Sequence, residues 1–421
     1  MRVPLMKTGG LLLLIGLLTG LVTAQSTEQA PPTPATPSPT VGPVMAPSPD
    51  STSTPRLPIT LSIWWADTLA PLQGESASLR AEQLRAITEA VPGVRVDVRL
   101  KAVNGPGGMR EALLTADAVA PRALPDLALV ARRDLLALID AGLAQPIDQA
   151  VSQADRDRFY PVAIALSEIN GRLYALPYAL ELHHLAYQPP AADLGTFAGS
   201  LDAGRDLLLP LGGEALLATL LAQYVSCGGV LENGLLTNLE EAPLRALLEY
   251  YAEARTRTLD PRSAQYASLA DTLPLLPEAG AGLVNTAGYQ SLLAADPDWR
   301  FTTAPLASET PVTVVEGWLW VILTPEPGRQ AAALTVINAL LQTERLAGYS
   351  HLVGALPSTP AALAAWSDAD YAAFMGGLLA NALPLLGETR EQAGMRLLTA
   401  MRQVVNGGTV EEALTVALAD G

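Results

Sequence analysis

One cysteine, Cys227, stands in 421 residues, so no internal disulfide is available and stability has to come from burial. Its surroundings, Ser226-Cys227-Gly228-Gly229, read as a packed small thiol rather than a reactive one. Basic residues are scarce: 26 Lys and Arg against 42 Asp and Glu give a formal charge of −16, which opposes binding to nucleic-acid phosphates and excludes nucleic acid as a partner. Histidine is limited to three residues. His183 and His184 are adjacent, so on a strand they face opposite ways, and no third ligand stands at metal-binding spacing. No G-x-S-x-G marks a nucleophilic serine, and His351 has no recognisable partner. The run Gly105-Pro106-Gly107-Gly108 lacks the Lys-Ser/Thr of a phosphate cradle and reads as a plain loop. Nothing singles out two carboxylates as a glycosidase pair. The chain is therefore expected to carry no catalytic residue, no metal and no cofactor.

The length exceeds what one hydrophobic core usually supports, so two domains are expected. Arg2 and Lys7 precede an apolar run from Leu11 to Val22, and Val22-Thr23-Ala24 offers small residues for cleavage. Residues 1–24 thus read as a signal peptide or, if uncleaved, as an N-terminal anchor about the length of a membrane span. No other run is long and apolar enough to suggest a span. Residues 25–56 are mostly Pro, Thr, Ser and Ala, which have too little to bury to offset their ordering entropy, and read as a disordered, semi-rigid tether.

The folded body begins at Leu57. Ile59 to Trp65 alternates in the manner of a strand. A helix is expected over 76–90, stopped by Pro92-Gly93, and Val94 to Leu100 alternates strictly as a strand with one wet face. Another helix is expected between Gly108 and Val119, and Leu127 to Val130 is a wholly apolar strand. Strands alternating with helices imply parallel pairing and an α/β lobe. Further on, helices dominate: Glu214 to Tyr224, Pro243 to Arg255, Arg329 to Gln342 and a last one at 409–419, where Thr409 and Glu412 stand at capping-box spacing.

Residues 170–187, NGRLYALPYALELHHLAY, join an Asn-Gly turn, a Leu-Pro-Tyr step and a run able to cross between domains. This stretch resembles the inter-lobe hinge of bacterial extracellular solute-binding proteins of ABC transporters, in particular the sugar-binding, maltose-binding-protein-like group. Other segments resemble that family in the same order: Pro125 to Val130, Gly142 to Asp148, Gly228-Gly229, residues 280–289, Phe301 to Leu306, Gly354 to Ser358, and the final Thr409-Val410-Glu411-Glu412-Ala413-Leu414. The resemblance implies a two-lobed α/β clamp of the periplasmic-binding-protein type II kind, each lobe a mostly parallel sheet flanked by helices, joined by crossover hinges. It places lobe one at 57–177 plus 320–350 and lobe two at 178–319 plus 351–421. It also implies an exported, extracytoplasmic, non-enzymatic protein, a monomer, that delivers a small solute to membrane permease subunits. The alternative is a sensor or interaction protein of the same fold. The family's lipid-bearing cysteine after the apolar run is missing, which leaves secretion, the periplasm and an uncleaved anchor all open.

In such a clamp the ligand lies at strand ends and beside crossovers. The candidates are Trp65 and Asp67 after the first strand, Arg133 after the third, Tyr178 and Glu181 in the first crossover, Tyr289 where the family has a cleft tryptophan, and Glu316 and Trp318 beside the second. Glu181 matches a sugar-contacting position of maltose-binding relatives. Aromatic faces with carboxylate and guanidinium groups suit a sugar's C–H face and hydroxyl rim. Each candidate has a bland counterpart: Trp64 and Trp65 point to opposite sides, so one belongs to a core, and Tyr178 beside Pro177 can simply pack the hinge. Of Trp318 and Trp320, on one side of a strand, at least one is expected to face the cleft. One histidine of the 183–184 pair is expected at the cleft edge and the other exposed. The family's P-x-T-W-x-E segment has no counterpart after the hinge, and only four Phe and six Trp occur, which argues against a long oligosaccharide.

Overall fold

The computed structural model describes residues 58–69, 91–190, 193–232, 234–308, 310–387 and 393–419, with positions 78, 81, 82 and 85. The apolar N-terminal segment, the Pro-rich tether and nearly all of the helix expected at 76–90 lie outside the described residues. Strands are β1 (Ile59–Ala66), β2 (Val94–Lys101), β3 (Leu127–Ala131), β4 (Glu168–Ile169), β5 (Arg172–Leu173), β6 (Ala175–Glu181), β7 (His184–Tyr187), β8 (Ala281–Val284), β9 (Arg300–Thr302), β10 (Val314–Ile322), β11 (Leu356–Pro357) and β12 (Leu383–Pro384). Among the described residues, the helices of seven residues or more are α1 (Met109–Val119), α2 (Arg132–Asp140), α3 (Pro161–Ser167), α4 (Leu217–Ser226), α5 (Glu241–Arg257), α6 (Thr286–Ala295), α7 (Pro327–Leu340), α8 (Thr343–Val353), α9 (Ala369–Ala380), α10 (Ala393–Val405) and α11 (Val410–Leu418).

The large sheet runs β11-β6-β10-β3-β1-β2, with β12 beside β10. Its β1, β2 and β3 pair in parallel, as the alternation of strand and helix implies. Beyond β3 the direction changes: β10 lies antiparallel to both β3 and β6, and β11 antiparallel to β6, while β12 runs parallel to β10. The small sheet, β8-β7-β9, is antiparallel at both pairings. The expectation of mostly parallel sheets is therefore corrected to a mixed large sheet and an antiparallel small one. The reason is topological, because β10 returns from the other sheet and enters its slot from the opposite end. The crossover segments also pair as strands, so the large sheet takes in residues 178–181, 314–319 and 356–357 that the hinge resemblance assigned to the second lobe.

Position in the sheet decides which side chains are wet. At the edge, β2 exposes Arg95, Asp97 and Arg99 and turns Val96 and Val98 inward, and these charges discourage pairing with another strand. The internal β1 is covered on both faces, so Trp64 and Trp65 are both buried. The Asn-Gly turn joins β4 and β5, with Asn170 at φ +51° and Gly171 at φ +73°, the double left-handed geometry of a type I′ hairpin.

Two hydrophobic cores follow. One surrounds the large sheet, with Leu61, Ile63, Leu129, Leu319 and Trp320 fully buried. The other is mainly helical, with Leu220, Leu247, Tyr251, Leu397 and Met401 from α4, α5 and α10. Each fully buried leucine adds about 1.5–3 kcal/mol relative to exposure. The last helix starts as its sequence predicts: Thr409 accepts from the Glu412 N–H, and the Glu412 carboxylate accepts from the Thr409 N–H. Between the cores the chain crosses at residues 182–183 and returns at 303–313.

Candidate functional site

The parallel strands β1, β2 and β3 end at one rim of the large sheet, and the antiparallel pairing brings the start of β10 and the end of β6 to the same rim. Thr68, Asn104, Arg133, Glu181, Glu316 and Trp318 come together there. Facing them are Glu214 at the foot of α4, Ser268, and Asn285 at the start of α6. The open cleft holds about 440 Å³, within the range of small-molecule sites. A side compartment of about 180 Å³ opens past Trp318, lined by Leu69, Leu180, Val353 and Ala355. A larger hollow of about 820 Å³ shares Asn104 and Arg133 with the cleft but lies against α1 and the start of α2. Glu214, Ser268 and Asn285, which wall the cleft from the opposite side, do not line this hollow, so the cleft is the better candidate for a grip.

Four of the eight candidates, Arg133, Glu181, Glu316 and Trp318, thus line one cleft. Glu181 and Glu316 are direct partners in the β6–β10 ladder, so their side chains leave the sheet on the same face. The Glu181 Oε1 accepts a 3.0 Å hydrogen bond from Asn285 Nδ2, while the Asn285 Oδ1 accepts one of 3.0 Å from the Gly288 N–H. One residue therefore caps α6 and orients a cleft carboxylate. His183 Nε2 lies 4.0 Å from Glu181 Oε1, at the cleft edge as expected. Arg133 Nη2 donates to Asn104 Oδ1, which fixes the guanidinium beside the rim.

The other four are placed elsewhere. Trp65 and Tyr178 belong to the core, not to the cleft wall: their rings stand 6.0 Å apart, and Trp65 meets Trp320 edge-on at 5.0 Å and Tyr349 at 5.7 Å. The cause is that β1 extends one residue beyond Trp65, and the cleft is reached only at Thr68 in the following turn. Burial holds the Tyr178 hydroxyl well above the usual tyrosine range. Asp67 is half-buried in that turn and does not line the cleft. Tyr289 is 2 % exposed and stacks on Tyr371 at 4.7 Å, because α6 turns it into the aromatic cluster beneath the site.

The histidine expected at the surface is also corrected. His184 is fully buried, with Nδ1 donating to the Leu185 carbonyl at 3.1 Å, which leaves Nε2 to accept from the Tyr371 hydroxyl at 3.0 Å. Of the two aligned indoles, Trp318 lines the cleft and Trp320 fills the core. The Cys227 thiol is pushed up to about 11 by burial, consistent with a packed group. Among the described residues no group of three His, Cys, Asp or Glu side chains is arranged to hold a metal ion. No described helix is long and apolar enough to cross a membrane. Sequence reasoning missed Asn104, Glu214 and Asn285. Only Asn285 left a signal, as a helix-capping residue ahead of Thr286-Ala287-Gly288.

Two cores joined by crossovers, with a cleft walled from both sides, define a two-lobed α/β clamp. Residues 83–375 match the family model described as bacterial extracellular solute-binding protein, and the chain belongs to that family. Its fold is similar to the sugar-binding protein MalE of the phytopathogen Xanthomonas citri (18% identity, TM-score 0.70, covering 86% of this chain and 96% of that one). It is also similar to the cyclic α-maltosyl-1,6-maltose binding protein of Arthrobacter globiformis (14%, TM-score 0.69, 86% and 97%). A third likeness is to an ABC transporter solute-binding protein of Thermotoga lettingae bound with α-D-tagatose (17%, TM-score 0.65, 86% and 98%). At these identities the likeness is one of fold. No curated protein sequence matches the chain.

Proposed function

We propose that this protein is the extracytoplasmic capture component of an ABC importer, closing its lobes around a small polar solute of the carbohydrate class and presenting the closed form to membrane permease subunits. The observation that carries the reading is the cleft itself, where Glu181, Glu316 and Trp318 on one wall face Asn285 and Glu214 on the other. An indole face beside carboxylate and amide groups matches the apolar face and hydroxyl rim of a sugar ring. Three proteins of the same fold are described as binding sugars or oligosaccharides, which supports the class. The volume of about 440 Å³ favours a small solute over a long chain. Ligand contacts on both walls couple binding to closure about the crossovers at 182–183 and 303–313. The monomer acts alone in capture, held near the membrane or released according to whether the N-terminal segment is cut.

A thermal-shift screen of the purified protein against sugars, polyols, amino acids, polyamines and oxyanions tests this. A solute at about a hundred times its Kd stabilises the folded clamp by about 2.7 kcal/mol, or a rise of roughly 3–4 °C for a chain of this size. A concentration-dependent rise with one class of solute is expected. A cooperative melt that no member of the panel moves would remove capture as the function.

A further inference from the structure

The capture reading leaves the shape of the solute open, and the compartment beside Trp318 speaks to it. Thr68, Glu181, Asn285 and Trp318 line both this space and the main cleft, so they form the junction between the two. Leu69, Leu180, Ala287, Val353 and Ala355 line the compartment and not the cleft, and Leu69, Leu180 and Ala355 are buried. Among the described residues confined to the compartment, Thr286 alone carries a polar side chain, and its hydroxyl is hydrogen-bonded to that of Tyr371 at 3.3 Å. Backbone groups there are also engaged. The Leu69 carbonyl accepts from Trp65 Nε1 at 3.2 Å and from the Tyr349 hydroxyl, and the Ala355 N–H donates to the Ser350 carbonyl at 3.0 Å. The polar side chains thus gather at the junction, and beyond it the side chains other than Thr286 are apolar.

We propose that the solute is a glycoside with an apolar aglycone: the sugar lies in the cleft against Glu181, Asn285 and Trp318, and the aglycone, about the size of one six-membered ring, fills the compartment. The proposal rests on the capture reading, which locates the site; the compartment decides only what the sugar carries. Its volume of about 180 Å³ exceeds the roughly 150 Å³ of a cavity that accepts benzene. A fully hydroxylated ring pushed between these walls would lose the water bonded to its hydroxyls and find few partners, which is costly. A phenyl ring has no such hydroxyls to strip. It gains from burial against Leu69, Val353 and Ala355 and from edge-on or offset contact with the Trp318 indole. An apolar recess that adjoins a polar cleft therefore selects a solute with one end of each kind.

Calorimetric titration of the purified protein with matched glycosides tests this: the phenyl and methyl β-D-glucopyranosides, β-D-galactopyranosides and α-D-mannopyranosides. In any pair that binds, the phenyl glycoside is expected to bind at least roughly tenfold more tightly. The gap should close in Ala355→Leu, whose larger side chain takes up the compartment. If that variant does not melt cooperatively, Val353→Phe fills the same space from the end of α8. A methyl glycoside that binds as tightly as its phenyl partner would overturn the proposal while leaving capture intact, and so would a gap that survives in the filled variant. Benzene decides the case in which no pair binds: followed by NMR, it is expected to move the methyl resonances of Leu69, Leu180 and Val353. Unmoved resonances would overturn the proposal, and the thermal-shift panel judges capture separately.

Discussion

His184 gives the protein a built-in acid sensitivity whose size can be worked out. The ring is fully buried at the start of β7, edge-on to Tyr289 at 5.5 Å and Tyr371 at 5.6 Å. Burial lowers its pKa from 6.5 to about 4; the hydrogen bond to the Leu185 carbonyl opposes the shift, and neighbouring His183 adds to it. Above pH 6.5 the imidazole is neutral in both folded and unfolded chains, and the full stability is present. As pH falls below 6.5 the unfolded ring takes up a proton that the folded ring refuses, so stability is lost until the folded ring also protonates near pH 4. At about 1.4 kcal/mol per tenfold in protonation, the interval is worth about 3 kcal/mol, most of it lost by pH 4.5. Urea unfolding of the parent and of His184→Gln at pH 7.5 and 4.5 isolates this contribution. Carboxylates such as Asp260, held below its ordinary value of 3.8 chiefly by its hydrogen bonds to Arg262, act at lower pH and are common to both proteins. The parent is expected to lose about 2–3 kcal/mol more than the variant over this range. Equal losses would refute the argument.

Two further outcomes separate core from cleft. Trp65→Ala should destabilise the fold by about 3–5 kcal/mol in urea unfolding, since it empties the centre of the Trp65-Tyr178-Trp320-Tyr349 cluster; a loss under about 1 kcal/mol would move Trp65 out of the core. Gly354→Ala should cost about 1–3 kcal/mol and lower the melting temperature by several degrees, because φ is +68° and the new Cβ would stand 2.5 Å from the Ala287 Cβ at the start of α6. An unchanged melt would show that the α8–α6 approach yields freely.

What could be read from the residues was local. The alternation in β2, the apolar run of β3, the Asn-Gly hairpin and the Thr409 capping box each carry their signal within a few positions, and each appears where expected. Sheet direction was not legible past β3, because the partners of β10 lie about 140 and 190 residues upstream in sequence and nothing local encodes which way it enters. The same distinction divides the site. Glu181, Glu316 and Trp318 were found because they flank crossovers, where strands reach the cleft. Trp65 and Tyr178 were misplaced because one or two residues decide whether a strand-end aromatic is still covered, and that depends on where the strand stops. Asn104 and Glu214 sit in or beside loops whose composition is ordinary, and they acquire meaning only when the opposite wall is in place.

Titration calorimetry on the parent and on Trp318→Ala, using the solute with the largest thermal shift, tests the central claim most directly. The account predicts one site per chain in the parent. It also predicts at least a tenfold weaker affinity in the variant, about 1.4 kcal/mol, with both proteins unfolding at nearly the same urea concentration. Equal affinity in parent and variant would contradict the placement of the solute in this cleft.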